Sequence, residues 1–178
     1  MTIFIFDLDG TVIDTSHRYR DLPCGKIDLD YWFANSTPEM IARDTLLPLA
    51  DVWRRYHAEG HTIVVCTARS WDRHPSMTCE PGPIYERFLA DNNLPYHALL
   101  HRIMAGPDHE TLSDGDLKTR LLDDWAAREG LADDWRKDSI MFDDNLTVIQ
   151  KMLEDRLYCM DAKRYNARLT AYGRMKAA

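Results

Sequence analysis

Five short runs of apolar residues, separated by longer segments with helical spacing, constrain the fold of this chain most strongly. The runs cover residues 3–6, 62–66, 98–100, 140–142 and 157–160. Continuous apolar runs of this length are typical of strands that are buried on both faces, as the strands of a parallel sheet are. The sequence therefore predicts a parallel sheet that is covered on both sides.

The segments between these runs have the apolar spacing of amphipathic helices. Helices are predicted over residues 48–59, 84–92, 115–128 and 146–154. Pro48 suits the first turn of a helix, and Gly60 and Gly130 each follow a predicted helix end. Because strands and helices alternate, we expect a doubly wound (Rossmann-like) α/β fold with flanking helices, formed by a single domain over residues 1–178.

Three segments are too polar, or too rich in Pro and Gly, to predict regular structure, and they cover residues 14–36, 70–82 and 106–114. Long loops in compact domains are often functional, so we expect these segments to border a binding site. The basic segment after Lys163 is predicted to be a solvated helix.

The composition is that of an ordinary globular protein, and its charge limits the partners. Hydrophobic residues make up 45% of the chain, charged residues make up 29%, and the net charge is −7. Because sequence-independent duplex binding depends on Lys and Arg that neutralise phosphates, no binding to long duplex nucleic acid is expected. The sequence contains no secretory signal and no apolar stretch of membrane-spanning length, so we expect a cytoplasmic protein with no membrane partner.

The first apolar run ends in the sequence DLDGT, at residues 7–11, which brings two acids to the end of a strand. In open parallel sheets, ligands bind beyond the carboxyl ends of the strands. Residues two apart in an extended chain point the same way, so Asp7 and Asp9 can address one substrate. Gly10 allows the backbone to turn sharply and to approach a ligand closely. An Asp-rich turn without function is the alternative interpretation of this motif alone.

Residues suited to a phosphate group follow two further strands. Thr67, Ala68 and Arg69 come after the 62–66 run, and a hydroxyl and backbone N–H groups there can hold phosphate oxygens. Lys118 opens the helix after the third predicted strand, where its ammonium group can neutralise both a phosphate and a nucleophile. Each of these residues is also common in purely structural roles, and their combination carries the prediction.

Two adjacent acids, Asp143 and Asp144, follow the fourth predicted strand. Adjacent carboxylates at a buried strand end repel each other unless a cation compensates. Mg²⁺ suits this position because it prefers oxygen ligands and retains water and phosphate as its remaining ligands. We therefore predict Mg²⁺ as the cofactor.

The order and placement of these motifs resemble the haloacid-dehalogenase (HAD) superfamily of phosphohydrolases. The four motifs of that superfamily match here as residues 7–11, Thr67, Lys118 and residues 143–144, within a span of residues 3–145. The resemblance implies a HAD-like fold and an aspartyl-phosphate mechanism. In that mechanism Asp7 attacks phosphorus, while Asp9 protonates the leaving alcohol and then deprotonates the attacking water.

The resemblance also implies which residues bind the metal and the phosphate. Mg²⁺ would be held by Asp7, the backbone carbonyl of Asp9 and Asp144, while Asp143 would bind the metal through water or orient Lys118, so that the roles of the two acids stay open. The phosphate would be held by residues of the first three motifs, namely Gly10, Thr11, Thr67, Ala68 and Lys118.

A narrower similarity, to the phosphatase domains of bacteriophage polynucleotide kinase-phosphatases, covers most of the chain. It rests on Pro48 at a helix start, the T-x-R sequence at residues 67–69, a strand that closes in Arg102, and the adjacent acids. The similarity implies a minimal cap domain or none. Because the sequence contains no GxxxxGK[ST] loop, no kinase domain is expected.

Contacts with the substrate beyond the scissile phosphate are predicted from the basic residues near the motifs. The candidates are Arg18, Arg69, Arg73 and Arg102, because guanidinium groups bind phosphates and stack on bases. Trp71 either stacks on a base or anchors its loop on the core.

Three functions remain open on the sequence. The first is a phosphomonoesterase for nucleotides or for polynucleotide 3′-phosphate ends, so that the partner is a phosphorylated small molecule or a nucleic-acid end. The second is a small-molecule phosphatase such as a 5′-nucleotidase, which fits the acidic net charge slightly better. The third is a catalytically silent relative that binds a phosphorylated ligand or a partner protein.

Overall fold

The computed structural model describes residues 1–24, 27–72, 74 and 77–177, and its strands and helices alternate along the chain. The strands are β1 (Ile3–Phe6), β2 (Ile13–Asp14), β3 (Thr45–Leu46), β4 (Thr62–Thr67), β5 (Ala98–His101), β6 (Ser139–Asp143) and β7 (Tyr158–Asp161). The α-helices are α1 (Leu29–Ala34), α2 (Pro38–Ile41), α3 (Leu49–Ala58), α4 (Gly82–Asp91), α5 (Asp114–Arg128), α6 (Leu146–Glu154) and α7 (Ala162–Ala177). Short 3-10 helices lie at Ser16–Arg18, Arg102–Ala105 and Trp135–Asp138.

A parallel sheet of five strands in the order β5-β4-β1-β6-β7 forms the centre of the fold. β1 is the middle strand, where Ile3 is opposite Thr62 of β4 on one side and Ser139 of β6 on the other. The five predicted strands are confirmed to within one residue at each end, and the four predicted helices to within two. The predicted doubly wound α/β class is confirmed as well.

The side chains of β1 alternate between the two faces of this sheet, and both faces are covered by helices. Phe4 and Phe6 point into one core cluster, where Phe6 stacks on Trp53 and on Phe142 with ring centroids 5.0 Å apart in each pair. Ile5 points into the other cluster, which α5 and α6 cover. Each fully buried large apolar side chain contributes roughly 1.5–3 kcal/mol, so the sheet is fixed firmly from both sides.

The stretch between β2 and β3 is called the insertion (residues 15–24 and 27–44). α1 lies within the segment predicted to be irregular, residues 14–36, whereas α2 lies just beyond it. The insertion contains α1 and α2, and β2 pairs with β3 in an antiparallel manner. Side-chain caps explain these short helices: Asp28 accepts from the N–H of Tyr31 at 3.0 Å, and Thr37 accepts from the N–H of Met40 at 3.3 Å. The prediction missed these helices because each has no more than six residues.

The basic C-terminal helix α7 is more than a solvated helix. Tyr165 and Leu169 pack on the core, and the Asn166 side chain accepts from the N–H of Leu49 and donates to the carbonyl of Thr11, both at 2.8 Å. α7 therefore connects to the loop that follows β1. Among the helices of the described residues, none has the length and apolar character needed to cross a membrane.

Candidate active site

Acidic side chains from two strand ends meet at the carboxyl edge of the sheet. Asp7 directly follows β1, and its N–H still donates to the carbonyl of Phe142 at 3.0 Å, which continues the ladder between the two strands. One carboxylate oxygen from each of Asp7, Asp143 and Asp144 lies within 4.8 Å of the other two. This cluster, called the acidic triad, offers only oxygen atoms, and that chemistry fits a hard divalent cation such as Mg²⁺.

Lys118 lies beside the acidic triad and is almost completely buried. Its ammonium group donates to Asp7 Oδ1 at 2.8 Å and to Asp143 Oδ2 at 2.6 Å. Burial on its own lowers the pKa of Lys118, but the charges of Asp143 and Asp7 outweigh it and raise the pKa well above its ordinary value. The side chain is therefore a fixed cation at neutral pH.

The Asp7 carboxyl group is crowded by negative charge. Burial, together with the charges of Asp143, Asp9 and Asp144, raises its pKa to about 8, although Lys118 opposes that rise. Like charges held this close call for compensating cations, and Lys118, Lys163 beside Asp144 and Arg69 beside Asp9 supply three cations against four carboxylates. The protein part of the site alone thus leaves a deficit of positive charge.

Asp143 and Asp144 differ in their surroundings, although the sequence could not separate them. Asp143 is fully buried, with one oxygen bound to Lys118 and the other accepting from the N–H of Asn145 at 2.9 Å. Asp144 is partly exposed, and its Oδ2 lies 2.9 Å from the ammonium of the exposed Lys163. Asp143 is thus committed to protein partners, whereas Asp144 is accessible from solvent.

Gly10 brings the loop after β1 against the acidic triad. Its φ of +68° is in the left-handed region, which residues with a side chain adopt at a cost. A Cβ atom at this position would lie 2.5 Å from Oδ2 of Asp144. Both the backbone conformation and the close approach of Asp144 therefore require glycine.

Asp9 is held by a two-point ion pair with Arg69. Nε and Nη2 of Arg69 each lie 2.5 Å from an oxygen of Asp9. Burial raises the pKa of Asp9, but Arg69 outweighs burial and the pKa lies below its ordinary value. The guanidinium of Arg69 also stacks 4.1 Å from the ring of Tyr85. Arg69, predicted to contact substrate, thus orients an acid of the DLDGT motif.

The turn after β4 is fixed by hydrogen bonds to its backbone. Thr67 is buried, and its Oγ1 accepts from the N–H of Arg69 at 3.2 Å. Arg102 donates to the carbonyl of Ala68 at 2.9 Å and to Asp114 Oδ1 at 2.6 Å. Arg102, another predicted substrate contact, therefore links this turn to the first residue of α5, the helix that carries Lys118.

The remaining predicted residues lie in different environments. Thr11 is completely buried, and its Oγ1 has no hydrogen-bond partner within the described part of the chain. Arg18 is also completely buried and binds both oxygens of Asp44, each at 2.8 Å. Trp71 stacks on His101 at 5.0 Å and is 7% exposed, so it anchors its loop. Arg73 lies outside the described residues.

Two buried polar residues of this region were not singled out by sequence reasoning. Asp44 lies in the insertion, and Asn166 lies in α7. Neither belongs to a motif, and their partners are distant in sequence, by 26 residues between Arg18 and Asp44 and by 155 between Thr11 and Asn166. The one local signal is an isolated polar residue in a half-buried segment, which is too common to predict a site.

Comparison with known proteins places the chain in a family. The profile of the family described as bacteriophage T5 5′-deoxynucleotidase matches residues 1–177. The chain belongs to this family. The 5′-deoxynucleotidase of Escherichia phage T5 is 37% identical over 73 residues, which cover 38% of this chain and 29% of that protein. The chain thus matches less than a third of the length of this curated relative.

Solved structures share the fold at low sequence identity. A chain of the Pnkp1/Rnl/Hen1 complex has a TM-score of 0.61 at 21% identity, over 91% of this chain and 45% of that one. The haloacid dehalogenase-like protein SP0104 from Streptococcus pneumoniae has a TM-score of 0.57 at 11% identity, over 93% and 90%. D,D-heptose 1,7-bisphosphate phosphatase from B. bronchiseptica, complexed with magnesium and phosphate, has a TM-score of 0.54 at 19% identity, over 94% and 86%. The resemblance to the HAD superfamily is confirmed at the level of the fold.

Proposed function

We propose that this protein is a Mg²⁺-dependent phosphomonoesterase that hydrolyses deoxynucleoside 5′-monophosphates through an aspartyl-phosphate. One observation carries the proposal: the oxygens of the acidic triad lie within 4.8 Å of one another, and Lys118 bridges two of the three acids. A nucleophile beside a cation site and a buried ammonium group is the arrangement that phosphoryl transfer requires. The choice of substrate is supported by membership of the family over residues 1–177.

In the first step, the Asp7 carboxylate attacks the phosphorus atom. A bond forms between an Asp7 oxygen and phosphorus, and the bond from phosphorus to the 5′ oxygen of the nucleoside breaks. Asp9 must carry a proton for this step, a form that its ion pair with Arg69 opposes, and it gives that proton to the leaving oxygen. The nucleoside departs, and the phosphoryl group stays on Asp7.

In the second step, water attacks the phosphorus of the aspartyl-phosphate. Asp9, now a carboxylate, takes a proton from that water, and the bond between phosphorus and Asp7 breaks to give inorganic phosphate. The ion pair with Arg69 favours the carboxylate form of Asp9, which is the form that this step needs.

The charges around Asp7 suit an anionic substrate only when a divalent cation is bound. Asp7, Asp144 and the backbone carbonyl of Asp9 would hold Mg²⁺, which supplies positive charge that offsets the repulsion between a phosphate and a carboxylate. Lys118, 2.8 Å from Asp7 Oδ1, neutralises phosphate oxygens near the nucleophile. Asp143 keeps Lys118 in place at 2.6 Å and is assigned no direct contact with the metal.

The test is a panel of phosphate esters with purified protein, in Mg²⁺ and in excess chelator. We expect turnover of deoxynucleoside 5′-monophosphates in Mg²⁺ and none in chelator. Asp7→Asn and Asp7→Ala should each reduce kcat by about 10⁴-fold or more, the loss typical of a missing nucleophile. Both variants should remain folded by circular dichroism, because removing one of several crowded carboxylates relieves repulsion.

Other outcomes of the same panel distinguish the alternatives. Turnover confined to a 3′-phosphorylated oligonucleotide would contradict the proposed substrate but would leave the proposed aspartyl-phosphate mechanism intact. A folded wild-type protein that is inactive on every ester, including a generic aryl phosphate, would instead favour a silent binding protein. Comparing Asp7→Asn with Asp7→Ala guards against deamidation, which restores aspartate only in the first variant.

A further inference from the structure

We propose that Asp44, in the insertion, is a positioning residue for the proton transfers of Asp9, a proposal that rests on the function proposed above. Asp9 does not touch Asp44. The two carboxylates are joined through Arg69, and Arg18 binds Asp44 from within the insertion. The result is a buried row of alternating charges, in the order Arg18, Asp44, Arg69 and Asp9, that begins in the insertion and ends in the loop after β1.

The distances in this row give Asp44 a specific place. Both of its oxygens bind Arg18, each at 2.8 Å, and its Oδ2 lies 3.9 Å from Nη2 of Arg69. The same Nη2 atom donates to Asp9 Oδ1 at 2.5 Å. Asp44 therefore faces the guanidinium group that orients Asp9, and it is the carboxylate that both arginines share.

Burial makes the charge of Asp44 necessary. The side chains of Arg18, Asp44 and Arg69 are exposed by 0%, 1% and 3%. The other described contacts of the Arg18 guanidinium are neutral: the hydroxyl of Ser36 at 3.2 Å and the ring of Trp32 at 4.4 Å. A buried cation that loses its carboxylate is costly. Without the charge of Asp44, Asp9 would be the one described carboxylate left to balance the buried guanidinium groups of Arg18 and Arg69.

The geometry of Asp9 therefore depends on the packing of the insertion. Arg18, Ser36 and Asp44 all come from that segment, whereas Asp9 belongs to the loop after β1. If Arg69 moves away from Arg18 or rotates, the carboxylate of Asp9 moves with it. Proton transfer demands hydrogen-bond distance in both half-reactions, while the attack by Asp7 does not use this row.

The experiment compares two substrates on the variant Asp44→Asn, which keeps the shape and removes the charge. On a deoxynucleoside monophosphate we expect kcat to fall by about 10–100-fold, part of the contribution of a general acid, with KM changed by less than about twofold. With p-nitrophenyl phosphate the leaving group needs no proton, so Asp7 is still phosphorylated. Hydrolysis of the aspartyl-phosphate is slowed, and a stoichiometric burst of p-nitrophenol followed by slow turnover is expected.

The burst separates positioning from a general loss of structure. If Asp44→Asn loses rate equally on both substrates and gives no burst, the proposal is overturned. Asp44→Glu, which restores the charge, should recover at least part of the rate on the deoxynucleotide. Asp28→Asn is the matched control, because Asp28 pairs with Arg20 in the same insertion and should leave both rates near those of the wild type.

Two further outcomes are informative. If Asp44→Asn does not fold, Arg18→Lys is the variant to test. It keeps a cation but loses the two-point ion pair with Asp44. The Arg18→Lys variant should show the same burst of p-nitrophenol with a smaller loss of rate. If a folded Arg18→Lys protein shows no burst, the proposal is overturned. A wild-type protein without any phosphatase activity would refute the proposed function itself, and a normal wild type with an unaltered Asp44→Asn variant would refute only the positioning role.

Discussion

At the scale of single residues, the site depends on how a few buried charges are shared. Lys118 donates hydrogen bonds to two acids, Asp7 and Asp143. Arg69 donates to Asp9 and also lies beside Asp44. In each case one cation lies between an acid that follows β1 (Asp7 or Asp9) and a second acid (Asp143 or Asp44). In the mechanism proposed above, the second acid fixes the cation, and the cation fixes the side chain that acts on the substrate.

Gly10 provides a prediction at this scale. A methyl group in Gly10→Ala would lie 2.5 Å from Asp144 Oδ2, and Asp144 would have to move away from the acidic triad. We expect kcat/KM in Mg²⁺ to fall by at least about 10-fold, since metal-site ligands need close placement. We also expect a loss of about 1 kcal/mol in the free energy of unfolding, because φ is positive.

Gly130→Ala is the control for the effect of the backbone alone. Gly130 has a φ of +64°, close to that of Gly10, but a Cβ atom there meets no atom within 4 Å. Urea denaturation should show a similar loss of stability for the two variants, while only Gly10→Ala should lose activity. Equal activity in both variants would mean that Asp144 does not need its present position.

At the scale of elements, the strands could be predicted because they are buried on both faces. The interior of such a strand is apolar on both faces, so β1 and the central residues of β4 and β6 stand out as continuous apolar runs. The helices α1 and α2 could not be predicted in the same way. Each is too short to show helical periodicity, and each has a single side-chain cap at its start.

The contact between α5 and α6 leads to a prediction about pH. Asp155, just past α6, accepts from the hydroxyl of Thr119 at 2.6 Å and from the ammonium of Lys151 at 2.8 Å. Burial raises the pKa of Asp155, but these two partners outweigh it and the pKa is below its ordinary value. A lowered pKa means that the carboxylate stabilises the fold above about pH 4, and that this contribution is lost as pH falls through the folded-state pKa.

Asp155→Asn should therefore lower the free energy of unfolding at pH 7 by about 0.5–1 kcal/mol, the range of a partly solvated ion pair. The difference between variant and wild type should shrink as pH falls from 5 toward 3. Urea denaturation over this range measures it. Asp134→Asn, which removes an exposed pair with Lys137, should be almost neutral at every pH. A difference for Asp155→Asn that is constant with pH would contradict the role of its charge.

At the scale of the whole molecule, the sequence indicates which residues reach the carboxyl edge of the sheet but not what holds them there. The motifs are local, so Asp7, Lys118 and Asp143 could be assigned to strand ends or helix starts from their neighbours alone. The partners of these loops are set by tertiary packing. Asn166 lies 155 residues from the loop that it supports, and Asp44 lies 26 residues from Arg18. Contacts at such separations leave no periodic signal in a single sequence.

Asn166 connects three distant parts of the molecule and provides a prediction at this scale. Its Oδ1 accepts from the N–H of Leu49 at the start of α3, and its Nδ2 donates to the carbonyl of Thr11 in the loop after β1. Asn166→Asp keeps the acceptor but replaces the donor with an oxygen that faces a carbonyl. Because this site is buried, the unsatisfied carbonyl should cost about 1–3 kcal/mol in the free energy of unfolding.

The variant Asn92→Asp tests whether the loss of stability in Asn166→Asp comes from the hydrogen bond between Asn166 and Thr11. Asn92 also donates to a backbone carbonyl, that of Phe88, at 2.8 Å, but this bond lies within one helix end. We expect urea denaturation to show a clearly smaller loss for Asn92→Asp, because water can replace the missing donor there. Since the bond to Thr11 also fixes the loop that carries Asp9 and Gly10, Asn166→Asp should lower kcat in protein that is still folded, whereas Asn92→Asp should not. Equal losses of stability in the two variants would mean that α7 is held by apolar packing alone.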